Sequence, residues 1–250
     1  MKVVPIKTDK IVAGKVSIYG LLVKSLPVLS ERSIVAITSK VLSLCENRVI
    51  PTGSIDKDQL LTQESDLYLP GELSKYGHHF TITRNTLIPM AGIDESNGNG
   101  QYILWPTDSQ KSANDIREFL VKYFKLKGVG VVITDSTCQP LRRGTTGIVL
   151  GWSGFAGLRN YIGKPDLFGR PFAVTSASIA GGLAATAVLV MGEGTEQTPL
   201  CVLSDLPFVE FQSQNPSKAE IAEMNIPPKD DLFAPFLSAV HWRKGKGGVK

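Results

Sequence analysis

A β-branched apolar run that stops on an acid constrains this chain more than any other feature. Gly128–Ile133 reads GVGVVI and predicts a buried strand from its β-branched content. It ends at Thr134-Asp135-Ser136, so the strand is expected to hold the Asp135 carboxylate rigidly yet open to solvent. Seven residues later come Arg142 and Arg143, followed by Gly144 and a small Thr-Thr-Gly tail. A fixed carboxylate near two adjacent guanidiniums suits a metal-bound polyphosphate. The carboxylate takes a hard cation, the guanidiniums take phosphate oxygens in bidentate fashion, and the small tail admits close backbone approach. A turn-forming Asp and a solvated Arg-Arg-Gly loop are written in the same letters, so the pattern acquires meaning only from what surrounds it.

Around this run, short strands alternate with helices. Val3–Ile6 and Ser33–Thr38 read as strands flanking a helical Ser17–Val23, Asp56–Leu67 as an acidic surface helix, and Phe80–Thr83 with Leu87–Pro89 as a hairpin. Ser109–Lys125 reads as an amphipathic helix with Ile116, Phe119, Leu120, Tyr123 and Phe124 on one face. Ser178–Met191 reads as a buried Ala-rich helix, Pro199–Leu203 as a strand, and the stretch from Ser217 as one or two short helices. Hairpins mixed with βαβ-like steps predict an α+β fold rather than a doubly wound sheet.

The 250 residues are 42% hydrophobic and 20% charged, which allows one large domain or two interlocked smaller ones. A formal charge of +4 is too weak to indicate nucleic acid and suits anionic small substrates. Part of that surplus sits in 241–250, which reads as a mobile basic tail. Cys45, Cys138 and Cys201 are odd in number and lack CxxC spacing, so a disulfide framework or zinc site is not expected, and a reducing cytoplasm is. The opening MKVVPIKTDK is broken by Pro5 and charges and does not read as a signal peptide. The apolar run Ile179–Met191 is too short to span a bilayer.

Three further segments offer chemistry. Ala91–Gly100, AGIDESNGNG, presents Asp94 beside Asn97; the twelfth position from Asp94 is Trp105, where an EF-hand needs Glu, so a calcium loop is not expected. Met191–Pro199, MGEGTEQTP, follows the apolar helix; Gly192 and Gly194 allow backbone to approach an anion, and Glu193 between them is a possible ligand. It lacks the Gly-Lys-Ser/Thr of a Walker loop. Lys7 and Lys40 follow strands, from which lysines reach phosphates. His78, His79 and His241 form no metal or triad pattern.

In this order, AGIDESN followed by ITDSTCQPLRRGTTGIVLGWSGFAGLRNYIGKPDLFGRPFAVTSASIAGGLAATAVLVMGEG resembles the gamma-glutamyl ligases that act on the deazaflavin coenzyme factor 420. RRGTTG and NYIGKPDLFGR, Asn160–Arg170, are the most telling, and the resemblance runs to about Leu206. VPIKTDK, TSKVLSLCE and LWPTDSQ look more like a bacterial branch associated with folate metabolism.

The resemblance implies an α+β fold of two interlocked subdomains, divided roughly as 1–90 with 185–250 and an inserted 91–184. It implies a homodimer. It also implies a ligase that joins L-glutamate through a gamma-glutamyl amide bond to a carboxylate of an anionic cofactor, factor 420 or a folate, using GTP or ATP and Mn2+ or Mg2+, with room for a monovalent cation. Residue by residue, Asp94, Asp135, Ser136 and Glu193 fall on metal positions. Pro5, Ile6, Lys7, Ser39, Lys40, Asn97, Met191, Gly192, Gly194, Thr195, Glu196, Gln197 and Thr198 fall on nucleotide positions. Arg142 and Arg143 would offset charge on the transferring phosphoryl. Two departures stand out: Ala180-Gly181-Gly182 replaces an Ala-Asp-Glu common in the family, and Leu44 replaces a frequent lysine; they leave open a nucleotide- or cofactor-binding homologue without turnover, or a ligase or kinase for another substrate.

Overall fold

The computed structural model describes residues 1–26 and 28–247. The chain runs through β1 (Lys2–Ile6), α1 (Ile18–Ser25), β2 (Ser33–Thr38), α2 (Ser39–Cys45), β3 (Val49–Pro51), α3 (Lys57–Glu64), β4 (Leu67–Leu69), β5 (Phe80–Thr83), β6 (Thr86–Pro89) and β7 (Gln101–Ile103). It continues through α4 (Ser109–Phe124), β8 (Val129–Cys138), β9 (Thr145–Ser153), β10 (Leu158–Asn160), β11 (Ser176–Ser178), α5 (Ile179–Met191), β12 (Leu200–Ser204), α6 (Lys218–Met224), α7 (Ala234–Leu237) and β13 (Arg243–Lys244). The expected α+β class is what forms.

The principal sheet is ordered β1-β12-β2-β8-β9, with only β2 and β8 parallel. Side chains alternate across it. Val35, Ile37, Val131 and Ile133 face one way onto Leu22 of α1, Leu42 of α2 and Ile116 and Leu120 of α4. Ile34, Ala36 and Val132 face the other way onto Leu183, Ala184 and Ala187 of α5. Both faces of β2 and β8 are therefore covered, which explains why their sequences are continuous apolar runs. The sheet takes β1, β2 and β12 from 1–90 and 185–250, and β8 and β9 from 91–184. One sheet thus draws strands from both stretches of the chain.

A smaller sheet, β13-β4-β5-β6, and the pair β3-β7 surround a separate core of Leu60, Leu61, Ala91, Ile93 and Leu104. The β5–β6 hairpin turns through Arg84 and Asn85 with φ of 48° and 60°, the positive pair that suits the twist of a two-residue hairpin loop. The helix expected over Asp56–Leu67 is capped by Asp56 but stops at Glu64, and Leu60, Leu61 and Glu64 are buried, so it is not purely a surface helix. On α4, Ala113, Ile116 and Leu120 point inward, whereas Tyr123 of the expected apolar face is 50% exposed. Residues 243–247, read from sequence as part of a mobile tail, instead pair with β4 and donate backbone hydrogen bonds to Asp66, Thr62 and Ser65; 248–250 lie outside the described residues.

Helix α5 lies close to β9 because small residues meet there. A Cβ on Gly147 would sit 2.5 Å from the Ala184 carbonyl oxygen, while Ala180, Ala184 and Ala187 line the buried side of α5. Gly181 and Gly182, the positions that depart from the family, fall in the first turn of α5 after the cap Ser178, whose Oγ accepts from the Gly181 N–H at 3.2 Å. A Cβ on Gly182 would meet nothing within 4 Å. Helical backbone with free space favours alanine by about 0.5–1 kcal/mol. Gly182→Ala is therefore expected to raise the melting temperature by about 1–4 °C, measured by calorimetry.

Candidate active site

The loops at the carboxyl ends of β2 and β8 converge with the loop after α5. Strand β8 does not stop at Asp135: pairing with β9 carries it on to Cys138, with Leu150 of β9 unpaired where the register shifts between Ile133 and Thr134. The extra residue lies on β9, so alternation along β8 is unbroken. Asp135 shares the face of Val131 and Ile133, whereas Ser136 shares the face of Val132, toward α5. Neighbouring metal-position residues thus point to opposite sides of one strand.

On the first side, Asp135 is half-buried rather than open to solvent. The Trp105 indole N–H donates to its Oδ2. Burial pushes the carboxyl up to about 6; the Trp105 indole, the Ser136 backbone amide and the Ser39 hydroxyl oppose this, and the charge of Asp94 adds to the rise. Asp94 exchanges backbone hydrogen bonds with Ile103, and its Oδ1 accepts from the amides of Glu95 and Ser96 at 2.6 and 2.8 Å. Its Oδ2 lies 2.6 Å from Lys40 Nζ. Burial pushes the Asp94 carboxyl up too, but the Lys40 ammonium and the Ser96 hydrogen bonds outweigh it and hold Asp94 below the usual carboxylate range. Lys40, in the first turn of α2, also donates to Ser96 O and Oγ at 3.2 and 3.0 Å. It is therefore a paired group and not a freely solvated lysine.

On the second side, Ser136 Oγ donates to Glu193 Oε2 at 3.1 Å and Thr145 Oγ1 to Glu193 Oε1 at 3.2 Å. The expected metal positions therefore fall into two pairs, Asp94 with Asp135 and Ser136 with Glu193. Among the described residues, no three His, Cys, Asp or Glu side chains come together as a metal cluster.

Several of the positions expected to hold nucleotide meet around the 192–199 loop. Asn97 Nδ2 donates to Gly194 O at 3.1 Å, and Thr8 N–H to Gln197 O at 2.9 Å, which joins the loop to the Asp94 turn and to the end of β1. The loop is also folded on itself. Glu196 Oε2 accepts from Gly194 N–H at 2.8 Å, and Thr198 Oγ1 donates to Met191 O at the end of α5. Pro5 and Ile6 pair with Cys201 and Leu200, which places Lys7 at the mouth of a 560 Å³ cleft shared with Gln197, Lys10, Lys24 and Val16. Thr195 is exposed on the same loop.

Arg142 and Arg143 are exposed in the β8–β9 turn. Arg142 donates to Leu141 O at 3.0 Å, and neither arginine forms a salt bridge among the described residues. They do not contact Asp94, Asp135 or Glu193. Cys138 is a free, exposed thiol; burial pushes the thiols of Cys45 and Cys201 up to about 11. The sequence marks Trp105 only as a residue that rules out a calcium loop and does not reveal its contact with Asp135, because a lone aromatic carries no periodic or spacing signal that points to a carboxylate thirty positions away.

Residues 5–205 match the family described as F420-0:Gamma-glutamyl ligase. The chain belongs to that family. A "Coenzyme F420:L-glutamate ligase" from Methanococcus maripaludis is 34% identical over 208 residues, covering 80% of this chain and 83% of the relative. Proteins of the same name from Methanocaldococcus jannaschii and Methanopyrus kandleri are 31% and 30% identical, over 72% and 82% of this chain and 79% and 86% of their own lengths. The span matching the ligase family contains every site residue above and ends before α6, so α6, α7 and β13 lie beyond it. No helix among the described residues is long and apolar enough to cross a membrane.

Proposed function

We propose that this protein is a nucleotide- and divalent-metal-dependent ligase that adds L-glutamate, through a gamma-glutamyl amide bond, to a carboxylate of factor 420 or a related anionic cofactor. The observation that carries the metal requirement is Asp135. It is a half-buried carboxylate beside a second carboxylate, and the hydrogen bonds it receives come from neutral donors, the Trp105 indole, the Ser39 hydroxyl and the Ser136 amide. Such a charge is costly without a nearby cation. Hard oxygens from Asp135 and Asp94 suit Mg2+ or Mn2+. A divalent ion held there would supply charge neutralisation at nucleotide phosphates.

The chain's own groups account for binding and positioning. The 192–199 loop presents backbone of Gly192 and Gly194, and Asn97 anchors it. GTP is the preferred nucleotide in this reading, with ATP second; Lys7 and Gln197 border the cleft that would take its base. Lys40 brings an ammonium beside Asp94, where it can face a phosphate. An acceptor carboxylate oxygen would attack the γ-phosphorus, releasing the nucleoside diphosphate and forming an acyl phosphate. The glutamate amine would then attack the acyl carbon and expel phosphate, so the main demands on the protein are alignment and charge offset. Cys138 stands three strand steps, roughly 10 Å, beyond Asp135, and the turn after it carries Arg142 and Arg143 outward. This separation suits guanidiniums that meet the far end of a bound anion. Leu167 and Phe168, 98% and 95% exposed, offer a contact surface for a homodimer.

The test is purified protein with GTP or ATP, Mn2+, labelled glutamate and a panel of acceptors. Label should enter factor 420 or a close relative, with stoichiometric release of nucleoside diphosphate. Nucleotide binding with no label transfer to any acceptor would refute the ligase reading. The arginines give a sharper result: Arg142→Ala with Arg143→Ala should lower kcat/KM by about thirtyfold or more, equivalent to roughly 2 kcal/mol of lost transition-state stabilisation. The melting temperature should not change, because both side chains are exposed and unpaired with any acid among the described residues.

A further inference from the structure

We infer that Trp105 is a positioning residue that sets how the Asp135 and Asp94 carboxylates face one another. The inference rests on the reading that these two groups share a divalent ion. The acids belong to different parts of the molecule. Asp135 rides on β8 in the principal sheet, whereas Asp94 follows Ile93, a member of the smaller core with Leu60 and Leu61. Two short segments touch both: Ser39-Lys40, through the Ser39 hydroxyl to Asp135 and the Lys40 ammonium to Asp94, and Ile103–Trp105. Ile103 exchanges two backbone hydrogen bonds with Asp94, at 2.7 and 3.0 Å, and Leu104 is buried in the smaller core. Trp105 then directs its indole N–H at Asp135 Oδ2.

The Ile103–Trp105 segment has little room to move. Trp105 is 4% exposed, its carbonyl accepts from Arg48 Nε at 3.3 Å, and Arg48 is held by Glu64 at 2.8 Å. Its ring occupies the space over Gly92, where a Cβ would lie 2.3 Å from the indole and where φ is +71°. The missing side chain at Gly92 therefore makes the seat for the ring. The chemistry of the donor matters as well. A lysine or arginine in this place would neutralise Asp135, whereas an indole fixes Oδ2 by one hydrogen bond and leaves the negative charge for a cation.

The three tryptophans are distinguishable. Among the described residues, Trp242 Nε1 donates to Leu237 O at 2.7 Å, Trp152 Nε1 has no protein partner, and Trp105 is the tryptophan that bonds a carboxylate. The experiment is an Mg2+ titration of the 15N-labelled wild-type protein, following indole N–H signals assigned by through-bond correlation, with Mg2+ affinity measured separately by calorimetry. The Trp105 signal should move along the binding curve while those of Trp152 and Trp242 stay still. Trp105→Phe should weaken Mg2+ and Mn2+ about tenfold and should have no further effect in an Asp135→Asn background, since it acts through that carboxylate. Calorimetric Mg2+ binding with an unmoved Trp105 signal, or a Trp105→Phe affinity within twofold of wild type, overturns the role of Trp105. Wild-type protein that binds neither Mg2+ nor Mn2+ overturns the underlying metal reading and the inference together.

Discussion

Asp135→Asn should abolish most of the divalent-ion affinity of this protein while making the metal-free fold more stable at neutral pH. The carboxylate is held by neutral donors only, and removing it should weaken Mn2+ and Mg2+ by about a hundredfold or more. The stability effect has the opposite sign to that of most substitutions at buried positions. Burial raises Asp135 from 3.8 to about 6 in the folded state. Well below pH 3.8 the group is protonated whether the chain is folded or not, and the folded state carries no penalty. As pH rises from about 4 to about 6 the unfolded chain ionises first, so the folded state loses stability, and above 6 the loss is complete. The shift corresponds to on the order of 2–3 kcal/mol. Asparagine can still accept from the Trp105 indole but carries no charge to bury. In the presence of a chelator, the variant should therefore melt about 4–12 °C above wild type at pH 7 and close to it at pH 4. Added Mn2+ should raise wild type and leave the variant where it is. Calorimetric scans at pH 4, 5, 6 and 7, with chelator and with Mn2+, check both halves. A variant with wild-type Mn2+ affinity, or with no stability gain at pH 7, would contradict the account of Asp135 given above.

Gly147→Val should be strongly damaging although the residue contributes no side chain to the site. Gly147 is buried on β9 directly opposite Ser136, and its absent side chain is what lets α5 come close: a Cβ there would lie 2.5 Å from the Ala184 carbonyl oxygen and 2.8 Å from the Val188 side chain. The nearest atom is helix backbone, which cannot rotate aside. Overpacking of this kind costs about 1–3 kcal/mol or more, and a drop in melting temperature of about 2–12 °C should follow. The displaced helix carries Glu193 and the 192–199 loop at its end. Glu193 should then lose its hydrogen bonds to Ser136 and Thr145, and nucleotide affinity should fall along with stability. Paired measurement of melting temperature and nucleotide binding checks this; unchanged values for both would show that α5 accommodates the added bulk.

The parts of the fold legible in the sequence are those whose cause is local. The apolar β8 run, the hairpin of Phe80–Thr83 with Leu87–Pro89 and the Ala-rich α5 follow from side-chain branching, two short apolar runs a few residues apart and helix propensity, each read within a few neighbours. The spacing of AGIDESN, ITDS and the MGEG loop, together with family resemblance, was enough to name residues that the folded chain brings together: Asn97 with Gly194, Ser136 with Glu193, and Lys40 with Asp94.

Tertiary structure alone decided the rest. No local pattern shows that β8 runs past Asp135, because that extension depends on a partner strand, β9, supplying backbone hydrogen bonds to a polar stretch. The same pairing keeps the alternation that sends Asp135 and Ser136 to opposite faces and splits the expected metal residues into two pairs. Residues 243–247 are ordered by an edge strand nearly 180 positions earlier. Trp105 became visible only when the β7 segment folded beside β8. The sequence by itself determined which carboxylates, hydroxyls and glycines are available at the ends of which elements. Only packing decided which carboxylate is buried, which lysine neutralises its neighbour and which indole holds the other, since burial and hydrogen bonding depend on distances between segments that sequence order does not contain.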